Sequence, residues 1–166
     1  YEADDLIASL CLSMPRDTLK IMVTMDQDMY QCLRTPDVMM WDIKKRSMTT
    51  EKSFKLEWNI GPEDWALVKA IAGDVTDCIP GVRNVGKVNA VDFVNGDLEE
   101  DSRHYKLIMN DMEKVEQYFK LTKLPFPGVK TFDVGPDDVT RHSWNKVMER
   151  LGLLRMLRGA GVSYAA

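Results

Sequence analysis

The chain has 166 residues, 45% of them hydrophobic and 29% charged, with a formal net charge of −4. That is enough for one domain with a real core, burying roughly 70% of its unfolded surface, and no apolar run approaches the ~20 residues that a membrane span needs. Three scattered cysteines, no CxxC pair and two histidines argue against a Cys/His zinc site and fit a reducing, cytoplasmic setting, while the acidic opening residues are unlike a signal peptide.

Residues 3–14 carry Leu6, Ile7, Leu10 and Met14 at helical spacing, and Pro15 stops that helix. "TLKIMVT" (18–24) is the apolar, β-branched run of a buried parallel strand. "MDQDMYQCL" (25–33) predicts a turn and a short helix, and "VMMWD" (38–42) a second strand. "KRSMTTEKSFKLEWNI" (45–60) predicts a hairpin, two alternating runs about a polar "TTEKS" turn. Strand, helix, strand in this order predicts one edge of an α/β sheet. From Gly61 the pattern turns helical. "GPEDWALVKAIAG" (61–73) has Pro62 in its first turn and Gly73 at its end. A turn-rich loop follows, with Gly81 and Gly86 before a new helix. Residues 103–120 predict one long amphipathic helix with Tyr105, Ile108, Met109, Met112, Val115, Tyr118 and Phe119 on its apolar face. Residues 124–136 are extended, 137–152 predict a helix that Gly152 ends, and the tail 158–166 is expected to fray. The composition shift divides the chain into an α/β part, 1–60, and a helical part, 61–166.

Acids recur where elements start or stop. Glu2, Asp4 and Asp5 lie at a helix start, Asp26 and Asp28 just past a strand, Asp74 and Asp77 just after a helix. Taken singly, each group also fits capping or turn chemistry. Jointly they invite another reading, because ligands of open α/β sheets bind beyond the carboxyl ends of strands. Seven converging carboxylates would repel unless cations neutralised them. Oxygen ligands without a Cys/His cluster point to Mg²⁺ or Mn²⁺, and two such ions about 4 Å apart are common machinery for cutting phosphodiesters. Glu2 and Asp5 share a helix face, while Asp26 and Asp28 alternate as in extended chain. The net charge of −4 argues against nucleic acid at first sight. Without these seven acids, however, 19 acids face 22 lysines and arginines, a balance that suits phosphate contacts away from the metals. In "PGVRNVGKVNA" (80–90), Gly81 and Gly86 with the helix after them form a helix–hairpin–helix pattern. Its backbone and helix N-terminus suit phosphate, with Lys69 and Lys87 nearby. Arg83, Val85 and Asn89 complete the candidate DNA-binding set.

The motifs "YEADDLIA" (1–8), "MDQDMYQCL" (25–33) and "KAIAGDVTDCIPGVRNVGKVNA" (69–90) together resemble the 5′→3′ exonuclease and flap endonuclease family. That family includes the nuclease domain of bacterial DNA polymerase I, the phage 5′-exonucleases and the phage primer-removing ribonuclease H. The resemblance implies the C-terminal part of a Rossmann-like, PIN-type nuclease sheet followed by a helix–hairpin–helix region. It implies that Glu2 and Asp4 serve a first metal and Asp5, Asp26 and Asp28 a second, with Asp74 and Asp77 direct or through water. Lys69 would contact DNA phosphate, and a K⁺ would sit at the hairpin. The implied reaction is Mg²⁺-dependent hydrolysis of phosphodiesters near a 5′ end or flap, on DNA or an RNA–DNA primer, in replication or repair, by a monomer in a bacterial or phage-infected cytoplasm. Three positions depart from the family pattern: Cys78 replaces an Asn, Asn84 a glycine, and Val88 a lysine that has moved to Lys87. Family members also carry an upstream half with further acids and a basic arch. The chain is therefore expected to be a C-terminal piece, whose alternative role is non-catalytic DNA binding.

Overall fold

In the computed structural model, residues 1–135 and 139–157 are described. The chain forms two compact units, Tyr1–Phe132 and Asp133–Ala166. The first is α/β. Helix α1 (Ala3–Ser13) leads to β1 (Lys20–Val23), a 3₁₀ segment (Gln27–Arg34) and β2 (Val38–Asp42). β1 and β2 pair in parallel, Lys20 opposite Val38 and Val23 opposite Trp41. The alternation of β1 buries Lys20 and Met22 and turns Ile21 and Val23 outward. A buried lysine needs a partner; Lys20 pairs with Asp37, just before β2, and the two side chains are 7% and 9% exposed.

The expected hairpin at 45–60 is corrected. The hairpin lies earlier: β3 (Ser47–Thr49) runs antiparallel to β2, Met40 opposite Thr49. Its turn is held by Asp42, which accepts from the Lys44 and Lys45 N–H groups at 2.8 Å. Residues Glu51–Trp58 are helix α2. Thr50 makes the switch: the Ser53 N–H donates to its hydroxyl at 3.2 Å, and its own N–H donates to Ser53 Oγ at 2.8 Å. This reciprocal cap satisfies two donors that the helix start leaves open. Helical spacing then sends Phe54 and Trp58 into one aromatic cluster with Trp65 and Tyr30, at centroid distances of 4.8–5.5 Å. Thr50→Ala is expected to cost about 1 kcal/mol, read by urea unfolding.

After a 3₁₀ turn (Pro62–Asp64) come α3 (Trp65–Ala72) and α4 (Lys87–Asn95). The expected single helix over 103–120 is two, α5 (Arg103–Asn110) and α6 (Met112–Thr122). Asp111 leaves helical geometry at φ −104°, ψ 13°. Asn and Asp compete with the backbone for hydrogen bonds and so favour helix ends; here Asn110 and Asp111 stand together, and Asp111 also accepts from Lys114 at 2.6 Å. Ile108 and Val115, one on each side of the break, are fully buried. The strands and helices of this unit share one core, with Met40 and Phe54 beside Trp65, Val91 and Val115.

In the second unit, α7 (Arg141–Arg150) starts later than expected, at a Thr140–Ser143 cap, and Gly152 at φ +70° follows it. A 3₁₀ turn, Leu154–Leu157, comes after. Residues 136–138, at the expected start of this helix, and the tail 158–166 lie outside the described residues. No helix among the described residues is long and apolar enough to cross a membrane.

Candidate metal centre

A cavity of about 1010 Å³ opens at the C-terminal end of β1. Three elements bring acids to it. The first turn of α1 supplies Glu2, Asp4 and Asp5, the segment after β1 supplies Asp26 and Asp28, and the loop after α3 supplies Asp77. Asp74, three residues earlier in that loop, joins Asp28 and Asp77: each of the three offers a carboxylate oxygen within 4.8 Å of the others. Glu2, Asp4, Asp5 and Asp26 line the same cavity without joining this trio.

Local chemistry aims each group. Asp26 caps the 3₁₀ segment, accepting from the Asp28 N–H at 2.9 Å. Asp74 accepts from the Thr76 N–H at 2.7 Å and the Thr76 hydroxyl at 2.6 Å, which closes the loop. A two-way backbone pairing between Asp74 and Ile79 completes that turn. Asp5 is 7% exposed. Its Oδ1 accepts from the Phe126 N–H at 2.7 Å and its Oδ2 from the Glu2 N–H at 3.2 Å. Each carboxylate oxygen keeps a second lone pair for a cation or its water.

Lys69, expected against DNA phosphate, instead brings its ammonium to all three carboxylates of the trio. It is 6% exposed, pairs with Asp28, and reaches Asp74 at 2.5 Å and Asp77 at 3.4 Å. One ammonium against three carboxylates leaves net negative charge. Burial pushes the Asp28 carboxyl up to about 6, against the pull of Lys69. For Asp74 burial works upward too, but hydrogen bonds from Lys69 and Thr76 hold it well below the usual carboxylate range. Burial opposes the Lys69 charge, yet Asp28 and Asp74 hold its pKa above an ordinary lysine's. Hard oxygen donors with uncompensated charge fit a hard divalent cation such as Mg²⁺ or Mn²⁺.

The other predicted DNA-binding residues lie in the loop between α3 and α4 and in the first turn of α4. Gly81 has φ +64° and packs on the α3 end. Val85 is 4% exposed, and its N–H donates to the Val82 carbonyl at 3.0 Å, so its side chain belongs to the core. Arg83 and Gly86 are exposed and Asn89 is half-buried. Lys87 folds back over the rings of Trp58 and Trp65, 5.5 and 5.1 Å from their centroids, and donates to Gln27 at 3.1 Å. Two of the departures from the family pattern fall on left-handed backbone, Cys78 at φ +56° and Asn84 at φ +64°. Asn is among the residues that tolerate this conformation. The third, Val88, is 71% exposed.

Residues 121–124 and Phe126, from the end of α6 onward, form another wall of the cavity. Sequence reasoning missed this wall, because nothing local to it carries acidic or glycine-rich chemistry.

No family model matches the chain. It is 29% identical over 130 residues to a 5′-3′ exonuclease of Buchnera aphidicola subsp. Schizaphis graminum, covering 78% of this chain and 41% of that one. It is 29% identical over 92 residues to the thermostable DNA polymerase I of Thermus filiformis, covering 55% and 11%. Among solved structures, a T5 5′-exonuclease with divalent metal ions (zinc) bound superposes with a TM-score of 0.66 at 21% identity, covering 75% of this chain and 50% of that one. The chain thus spans less than half the length of the curated relatives it matches.

Proposed function

We infer that this chain, which resembles part of the 5′→3′ exonuclease family and shares its PIN-type fold, carries much of the catalytic centre of a Mg²⁺-dependent 5′ nuclease acting on DNA. One observation carries the reading: Asp28 converges with Asp74 and Asp77, a pair distant from it in sequence, at the carboxyl end of β1, where α/β proteins bind ligands. These three would hold one divalent cation, and Glu2 and Asp4, across the cavity, would contribute to a second, with Asp5 and Asp26 bracing the two walls. When bound, such ions polarise a phosphodiester and its attacking water. The rest falls to the protein's own groups. Lys69 keeps the trio together without matching its charge. Asp26 orients the start of the segment that bears Asp28.

The loop between α3 and α4 would grip the duplex backbone as a helix–hairpin–helix. Gly86, the N-cap of α4, has open space where a Cβ would stand, so a phosphate could approach the helix N-terminus and its unpaired N–H groups. Exposed Arg83 adds charge there.

The test is incubation of the full-length protein with a 5′-labelled flap duplex in Mg²⁺, with an EDTA control. Short labelled products that EDTA abolishes are expected. Duplex binding without product would replace the nuclease by a DNA-binding module, and neither binding nor product at low salt would end the nucleic-acid reading.

A further inference from the structure

We propose that Gln31 is a positioning residue for the metal centre, clamping residues 122–126 as a brace between its two acidic walls. Gln31 lies three residues after Asp28 on the same 3₁₀ segment and is 3% exposed. Both ends of its amide are used. Its Nε2 donates to the Thr122 carbonyl at 2.8 Å, and its Oε1 accepts from the Leu124 N–H at 2.9 Å. One side chain thereby replaces the backbone partners lost where α6 ends, and buried backbone groups demand such replacement. Two residues on, the Phe126 N–H donates to Asp5, on α1, at 2.7 Å. Phe126 also stacks against Tyr1, ring centroids 6.4 Å apart. The brace is therefore tied to the Asp28 segment at one end and to the Asp5 helix at the other. It is anchored a third time by the Thr122 hydroxyl, which donates to the Ala66 carbonyl of α3 at 2.8 Å. Two acid-bearing elements that line one cavity are thereby linked through a chain of buried and part-buried hydrogen bonds. Partners that orient ligands from behind typically change metal affinity 10–100-fold when removed.

The inference rests on the metal-centre reading above. Its test uses Mn²⁺ titration calorimetry on the full-length protein, with Gln31→Met, which keeps length and loses both hydrogen bonds. Mn²⁺ affinity is expected to fall about tenfold or more, and kcat on the flap duplex about 100-fold with KM within about twofold. Val115→Ala, a core truncation on α6, serves as a control for plain destabilisation; its melting temperature should fall while Mn²⁺ affinity holds. Equal losses of affinity in both variants, or unchanged affinity in folded Gln31→Met, overturn the brace. So does wild-type protein that binds no Mn²⁺, which overturns the metal-centre reading as well. Cutting lost in Asp28→Asn but intact in Gln31→Met sinks the brace alone. Should Gln31→Met fail to fold, amide exchange on the wild type decides: slow exchange at both Leu124 and Phe126 supports the brace, and fast exchange at either overturns it.

Discussion

Asp28→Asn is expected to raise the stability of the metal-free protein and to abolish the Mn²⁺ binding proposed for it. Asp28 is 14% exposed at its side chain, and burial lifts its pKa to about 6, against ~3.9 in an unfolded chain. A carboxyl with a raised folded-state pKa favours the folded state at low pH and weighs against it once ionised. The penalty is absent below pH ~4, grows between ~4 and ~6, and stays constant above. A shift of about two pKa units corresponds to a ceiling of ~3 kcal/mol. Asn still offers Lys69 an acceptor oxygen, so the variant escapes the penalty without orphaning the ammonium. At pH 7 it should be more stable by about 1–3 kcal/mol in urea unfolding, with the gain gone at pH 4. Divalent cation reverses the order. Mn²⁺ should raise the melting temperature of the wild type in proportion to its binding and leave Asp28→Asn unmoved. In the full-length protein the same substitution should abolish cleavage. Equal stabilities at pH 7, or equal Mn²⁺ responses, would show that Asp28 carries no such burden. A site that lowers stability until a cation binds would exchange folding free energy for function, as strained active sites commonly do.

The strands β1 and β2 and the helix α1 were legible as elements, but the face that α1 buries was not: Leu6 and Ile7, expected on its apolar face, are exposed, and Asp5, Ala8, Ser9 and Cys11 are buried instead. The apolar run of β1 reads as a strand buried on both faces, yet only Lys20 and Met22 are buried and Ile21 and Val23 face outward. The segment 51–58 was not legible. Phe54, Leu56 and Trp58 fit a strand period, and Phe54 with Trp58 fits a helix period equally well. The decision came from the Thr50–Ser53 cap and from Trp65, a partner outside the segment. At the candidate metal centre, the gathering of acids at one cavity could be read from their joint occurrence at element ends. The group that holds them was harder to read, because Lys69 meets Asp28 across 41 residues of sequence and a lysine near a glycine-rich loop reads first as a phosphate contact. Gln31 stood in plain view inside a motif, but its partners are 91 and 93 residues away. Chemistry that one residue carries by itself is visible in sequence, and chemistry made by closure of long loops is not.

Gly81→Ala should be the most destructive added methyl group among the described glycines. Gly81 has φ +64°, where any Cβ is strained. The space is also occupied: a Cβ would sit on the Gly73 nitrogen and 2.6 Å from the Ala72 carbonyl carbon. These are backbone atoms at the end of α3, pinned by the Gly73 N–H to Lys69 carbonyl bond at 2.8 Å and by the Val82 N–H to Ile71 carbonyl bond at 2.7 Å. They cannot turn aside as a side chain would. Strain of ~1–3 kcal/mol adds to an overpacking cost of similar size, so about 3–5 kcal/mol is expected in urea unfolding. The loss should reach the candidate metal centre as well. Lys69 ends the same turn of α3, and Asp74 and Asp77 lie in the loop that Gly81 closes, so a shift there pulls the trio apart. Mn²⁺ affinity should fall with stability, and cation should restore little of either. Gly86→Ala supplies the contrast. Gly86 has φ −92° and open space at its Cβ position, so the same methyl group should cost less than ~1 kcal/mol and leave Mn²⁺ affinity unchanged. If the N-terminus of α4 receives a duplex phosphate, Gly86→Ala weakens binding to the flap duplex by standing in its path. Unchanged duplex affinity in that variant would move the DNA-binding face elsewhere on the protein.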